Sequence, residues 1–101
     1  MQAVPGVPSP KATKICTAIN ERCEIQFLCR GQTVALLQPH ILFSNVAGVA
    51  LVEGFIPRNG FEQFELGEIR DVVLKRRTKF EPHPSFDPDD PSYHQIFCAL
   101  K

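Results

Sequence analysis

The sequence predicts a single small, mainly β domain with one N-terminal helix, and three observations predict it. Apolar residues alternate at Ile25, Phe27 and Cys29, the period of a strand with one buried face. Turn-forming residues then recur at short intervals, at Arg30-Gly31-Gln32, Ser44-Asn45, Pro57-Arg58-Asn59-Gly60 and Gly67. A chain of 101 residues, 44% of them apolar, suffices for one core and leaves little room for a second. Four or five short strands at this spacing describe a small barrel, an arrangement that removes unpaired sheet edges.

Each element can be justified in order. Residues 1–9 are Pro-rich and lack the basic start and apolar middle of a signal peptide, so they read as a flexible leader. Ser9-Pro10 is a helix start, because Ser caps and Pro suits the first turn. Ile15, Ala18, Ile19 and Arg22 then follow at helical spacing in a helix from Lys11 to Arg22. Glu24 to Arg30 is the alternating strand, closed by a tight turn in which Gly31 supplies a positive φ. Thr33 to Phe43 continues extended, with Pro39 demanding an edge or a bulge. Val46 to Phe55 is the most apolar strand and is expected to be central, with bends at Gly48 and Gly54. Asn59-Gly60 marks a tight hairpin into Phe61 to Leu66, and Ile69 to Lys75 follows beyond Gly67. The domain proper thus occupies residues 10–80. Residues 81–101 form an irregular arm, since 81–91 holds four of the nine prolines and four acidic residues. Gln95 to Leu100 reads as a last strand returning to the sheet.

Composition narrows the function. Eleven basic and eleven acidic residues cancel, so overall charge argues for neither a nucleic-acid nor a membrane partner, and local patches must carry any such case. No apolar run approaches the length of a membrane span. The cysteines are Cys16, Cys23, Cys29 and Cys98, with no C-x-x-C pair and spacings unsuited to a zinc knuckle. Without an export signal, reduced thiols in a cytoplasmic protein are the expectation, with Cys16, Cys23 and Cys29 as small core residues.

In the order and spacing of its motifs the chain resembles the WYL domain, a bacterial regulatory module named for a Trp-Tyr-Leu triplet. Ala18-Ile19-Asn20-Glu21-Arg22 looks like the end of the family's first helix. Ile25-Gln-Phe27-Leu-Cys29-Arg-Gly31 fits its first strand, with Cys29 where Tyr is usual. Leu37-Gln-Pro39-His40-Ile-Leu42 matches its Pro-His step, and Phe80-Glu81-Pro82 its closing Phe-x-Pro. The naming triplet would fall at Val49-Ala50-Leu51, where only Leu51 matches, and Glu68 stands for the Arg expected before Ile69. The resemblance covers residues 14 to 82. It implies an Sm-like or SH3-like five-stranded barrel with an N-terminal helix. It also implies transcription regulation through nucleic acid or nucleotide-like ligands held by basic and aromatic residues.

Candidate site residues follow. His40, at a matched position, could donate to a phosphate or a base edge, or could cap a strand end. Arg70, Lys75, Arg76, Arg77 and Lys79 are the basic cluster. On a regular strand Lys75, Arg77 and Lys79 share a face and could track a phosphate backbone beside Phe61 or Phe64. Alternatively the stripe is a solvated face partnered by the acidic arm. With Arg58 on its turn, the ligand-binding set is His40, Arg58, Lys75, Arg77 and Lys79. Asp87, Asp89, Asp90 and His94 resemble a metal cluster only in composition, because interleaved prolines deny them a common helix. No phosphate loop exists, and no nucleophile-base pair has supporting context. The expectation is therefore a non-enzymatic sensing module without a cofactor. The alternative is a protein-interaction or homodimerisation module in which Val49, Phe55, Phe61 and a strand edge meet the partner.

Overall fold

The computed structural model describes residues 9–100. The leader expected at 1–9 therefore lies, apart from Ser9, outside the described residues. Helix α1 spans Pro10–Glu21 and is followed by strands β1 (Cys23–Cys29), β2 (Gln32–Ser44), β3 (Ala50–Ile56) and β4 (Gly60–Glu65). A 3-10 turn over Leu66–Glu68 leads to β5 (Ile69–Lys79), and β6 (Gln95–Ala99) comes last.

The helix begins where its chemistry dictates. Ser9 accepts a hydrogen bond from the Ala12 N–H at 3.0 Å, and Pro10 fills the first turn. It ends at Arg22, whose φ of 55° lets its N–H reach back to the carbonyls of Ala18 and Ile19. Ala12, Ile15, Ala18 and Ile19 are buried against the sheet. Lys11 Nζ ties the helix to β5 by donating to the Ile69 carbonyl at 2.9 Å.

All strand pairings are antiparallel, in the order β4-β3-β2-β1-β5, with β6 added on β2. The long β2 serves both halves: its first part pairs β1, and Gln38 onward pairs β3. A register shift between Pro39 and Ile41 marks where it bends, the irregularity Pro39 demanded. The expected closed barrel does not form. The 3-10 turn carries the chain from β4 to β5 without pairing them, and β5 bonds only to β1. Helix α1 packs across β1, β2 and β5. The core is Ile15, Ile19, Ile25, Phe27, Leu37, Leu42, Val52 and Ile69, none more than 1% exposed. Each such side chain contributes about 1.5–3 kcal/mol by burial.

Three local expectations need correction. Val46 does not begin β3; it is 85% exposed in a loop. The Asn45 side-chain oxygen accepts from the N–H groups of Ala47 and Val49, and Gly48 has a φ of 83°, so a turn outcompetes the strand. In the β3–β4 hairpin, Asn59 N–H bonds the Ile56 carbonyl and Arg58 takes the positive φ of 76°, so Pro57-Arg58 rather than Asn59-Gly60 forms the turn centre. The cysteines are not all reduced: Cys16 of α1 is bonded to Cys98 of β6, with Cα atoms 5.9 Å apart. Spanning 82 residues, this bridge removes about 4.5 kcal/mol of unfolded-chain entropy in the loop-closure treatment. Cys23 is a buried core residue as expected, and burial pushes its thiol pKa up. The β1–β2 turn behaves as read, with Arg30 and Gly31 both at positive φ.

Candidate functional site

The arm after β5 extends the core with an aromatic cluster on the β2–β3 surface, and His40 is the centre of that cluster. His40 is fully buried. Its ring stacks on Phe80 with centroids 5.4 Å apart and meets the edges of Phe61 and Phe86 at 5.2 and 5.1 Å. Both nitrogens are committed. Nδ1 lies 2.8 Å from the Gln38 carbonyl, and Nε2 accepts the His83 N–H at 3.0 Å. That pairing fixes the neutral tautomer with the proton on Nδ1. Burial lowers the His40 pKa below the ordinary histidine value; the Gln38 bond opposes this, nearby His83 adds to it and Glu53 opposes it.

Around this ring the arm is pinned at several points. His83 packs on Phe55 and Phe61, and Tyr93 meets the Phe43 ring at 4.6 Å. The Tyr93 hydroxyl donates to Glu53 at 2.8 Å, while Gln63 holds the other Glu53 oxygen. Burial, then the bond to Glu53, raise the Tyr93 pKa. Asp87 and Asp90 accept from the N–H groups of Asp89 and Ser92, closing turns rather than gathering around a centre. Ser85 Oγ lies 2.8 Å from His83 Nδ1, but the same nitrogen faces the Ser85 N–H, so the contact closes a turn. Phe55 and Phe61, both half-buried, pack against His83 of this arm.

The five predicted ligand residues are not brought together. His40 is sealed under the arm, and Arg58 is exposed on the β3–β4 turn. Lys75, Arg77 and Lys79 sit near the end of β5, where simple alternation fails. Lys79 pairs with Cys23 and Lys75 with Glu24, so three residues of β5 bulge opposite a single step of β1. Lys79 Nζ donates to the Glu21 carbonyl at 3.1 Å, and Arg76 pairs with the Glu21 carboxylate at 3.1 Å. Arg70, Lys75 and Arg77 have no hydrogen-bond or ion-pair partner among the described residues. The acidic arm does not neutralise them. Its one ion pair among the described residues joins Glu81 to Arg22. Glu68, in the place of the family's Arg, pairs with Arg30 at 2.8 Å.

Two concavities lie apart from these residues. One, of about 570 Å³, runs beside Cys29, Arg30 and Phe64. The other, of about 940 Å³, runs along α1 opposite the start of β3 and the 3-10 turn, with Thr13, Thr17, Leu42 and Ser44 in its lining. None of the five predicted residues lines either. Sequence reasoning missed this groove because its walls come from segments distant in the chain; the Thr13-Thr17 spacing was its one local sign. Glu24, 5% exposed, is the other surprise: one oxygen accepts from Gln38 at 2.9 Å and the other has no partner among the described residues.

No family model and no curated protein matches the chain. Among solved structures it is similar to proteasome accessory factor B/C (PafBC) of Arthrobacter aurescens, at 19% identity and a TM-score of 0.67. The match covers 80% of this chain and 14% of that one. PafBC is a WYL-domain-containing regulator, and the likeness shows that the fold here is WYL-like.

Proposed function

We infer that this chain is a non-enzymatic regulatory module of the WYL type, an opened form of the SH3-like barrel. It binds a polyanion, nucleic acid or nucleotide, along β5. One observation carries the reading: Arg70, Lys75 and Arg77 are left without partners among the described residues, and no carboxylate of the acidic arm pairs with them there. Unneutralised cations on an edge strand favour phosphate, with release of its counterions. Lys79 keeps two free N–H donors beside them, and Arg58 supplies a further guanidinium on its turn. His40 supports the module by holding the arm in place rather than by touching the ligand.

Titration of fluorescent single-stranded DNA, RNA and nucleotides at low and high salt tests this. Affinity should fall with salt. Lys75→Ala with Arg77→Ala should flatten the log–log slope by about 1.4, since each single-strand phosphate left unneutralised removes roughly 0.7. Binding that ignores salt, or that survives the double substitution unchanged, rejects the reading.

A protein-interaction module is the second reading, favoured by Leu36 and Val73, each 46% exposed. Their neighbours Leu37 and Leu74 both pair with the buried Ile25, so Leu36 and Val73 point to the opposite face of the sheet. Sedimentation of the protein with Leu36→Ser and Val73→Ser separates the readings, since only an interaction module loses self-association.

A further inference from the structure

Ser44 ends β2 in the lining of the groove along α1. The residue is only 7% exposed, and its hydroxyl has no hydrogen-bond partner among the described residues but is not itself sealed from solvent, so it is open to a ligand in the groove. Across the groove, Thr13 and Thr17 stand one helical turn apart on α1, and neither hydroxyl is bonded among the described residues. Between these hydroxyls the lining is apolar, from Leu42, Leu66 and Phe97. A volume of about 940 Å³ falls within the usual range for small-molecule sites, roughly 300–1,000 Å³.

Two further features define the occupant. Cys16 lines the groove and is bonded to Cys98, the neighbour of Phe97, so helix wall and strand wall are covalently joined. A groove fixed in this way is preorganised, which lowers the ordering cost of binding. The charged residues in the lining, Lys11 and Glu65, are of opposite sign, which disfavours a strongly charged ligand. The exposed large apolar side chains, Leu36, Val46, Val73 and Ile96, all lie outside the groove. It therefore suits a small molecule lying in an open groove and not the flat apolar face of another protein.

We propose that this groove binds a small uncharged molecule with an apolar body and a hydroxyl or carbonyl group that pairs with Ser44, Thr13 or Thr17. The site shares no residue with the β5 cations and stands whether or not they bind an anion.

The probe is N-phenyl-1-naphthylamine, a neutral apolar fluorophore with one N–H, titrated into the full chain with its disulfide intact. Saturable binding indifferent to salt is expected, with amide chemical-shift changes confined to α1, Ser44, Val49 and Leu66. Val49→Trp fills the groove and should weaken binding about tenfold or more. Leu66→Trp repeats the test from the opposite wall, and circular dichroism confirms that each variant is folded. Lys75→Ala should leave the probe's affinity unchanged while weakening nucleic-acid binding. No saturable binding, equal affinity in a folded groove-filled variant, or shift changes centred on Leu36 and Val73 would each overturn the proposal.

Discussion

Replacing His40 with Phe separates the two things a buried histidine can do. Phe keeps the ring contacts with Phe61, Phe80 and Phe86 but leaves the Gln38 carbonyl and the His83 N–H without their bonds. A buried group stripped of its partner costs about 1–3 kcal/mol. His83 is half-buried and a carbonyl keeps a second lone pair, so the pair should cost about 2–4 kcal/mol in all. Urea denaturation at pH 7 reads this as a lower midpoint with an unchanged slope. The pH dependence supplies the sign. With its folded pKa depressed, His40 binds fewer protons in the native than in the unfolded chain. Its contribution is therefore constant above the unfolded value of about 6.5 and is lost as pH falls below that, toward the depressed folded pKa. Protonation would set an N–H on Nε2 against the His83 N–H. His40→Phe should lose this acid sensitivity, so the gap between the two proteins narrows at low pH. A variant as stable as the parent at pH 7, or a gap that stays constant down to about pH 5, would refute the reasoning.

Two further outcomes test the packing. At Gly54 an added Cβ would lie 2.5 Å from the Gln38 carbonyl oxygen, which is backbone and cannot yield without moving β2. Gly54→Ala should lower stability by about 1–3 kcal/mol, measured by thermal or urea melting, and no loss would mean that the two strands are less closely apposed. Tyr93→Phe removes the donor to Glu53 and should cost about 1 kcal/mol of arm docking. Hydrogen exchange should then speed up at Phe86 and His94 while the core strands keep their protection, whereas uniform acceleration would mean that the arm and the core unfold together.

What could be read in advance was local. The Ser9 cap, the Arg30-Gly31 turn and the alternation of Ile25 and Phe27 depend on neighbours in the chain, and all three formed as expected. The bend of β2 was legible because Pro39 cannot donate to a ladder. What failed depended on distant partners or on competition. Val46 looked like a strand residue until the Asn45 side chain captured two backbone donors. The Lys75-Arg77-Lys79 stripe assumed an unbroken strand, and the bulge against β1 broke it. His40 stood out at the right position, but its burial depends on Phe80 just beyond β5 and on Phe86 from an arm that reads as irregular. The Cys16–Cys98 bridge was beyond any spacing rule, because it needs β6 to be placed before the two sulfurs can meet.

That bridge also changes how the molecule responds to cutting. It joins a residue of α1 to one of β6, so the chain between them is a covalent ring that takes in every strand of the sheet up to that point. A protease that cleaves once in the exposed loop around Val46, or once in the arm before β6, opens the ring without releasing a fragment. Such a nicked protein would run as one band on a denaturing gel without reductant and as two with it. Its pieces stay at a high effective concentration, so the cut ends are held where they can re-form the fold.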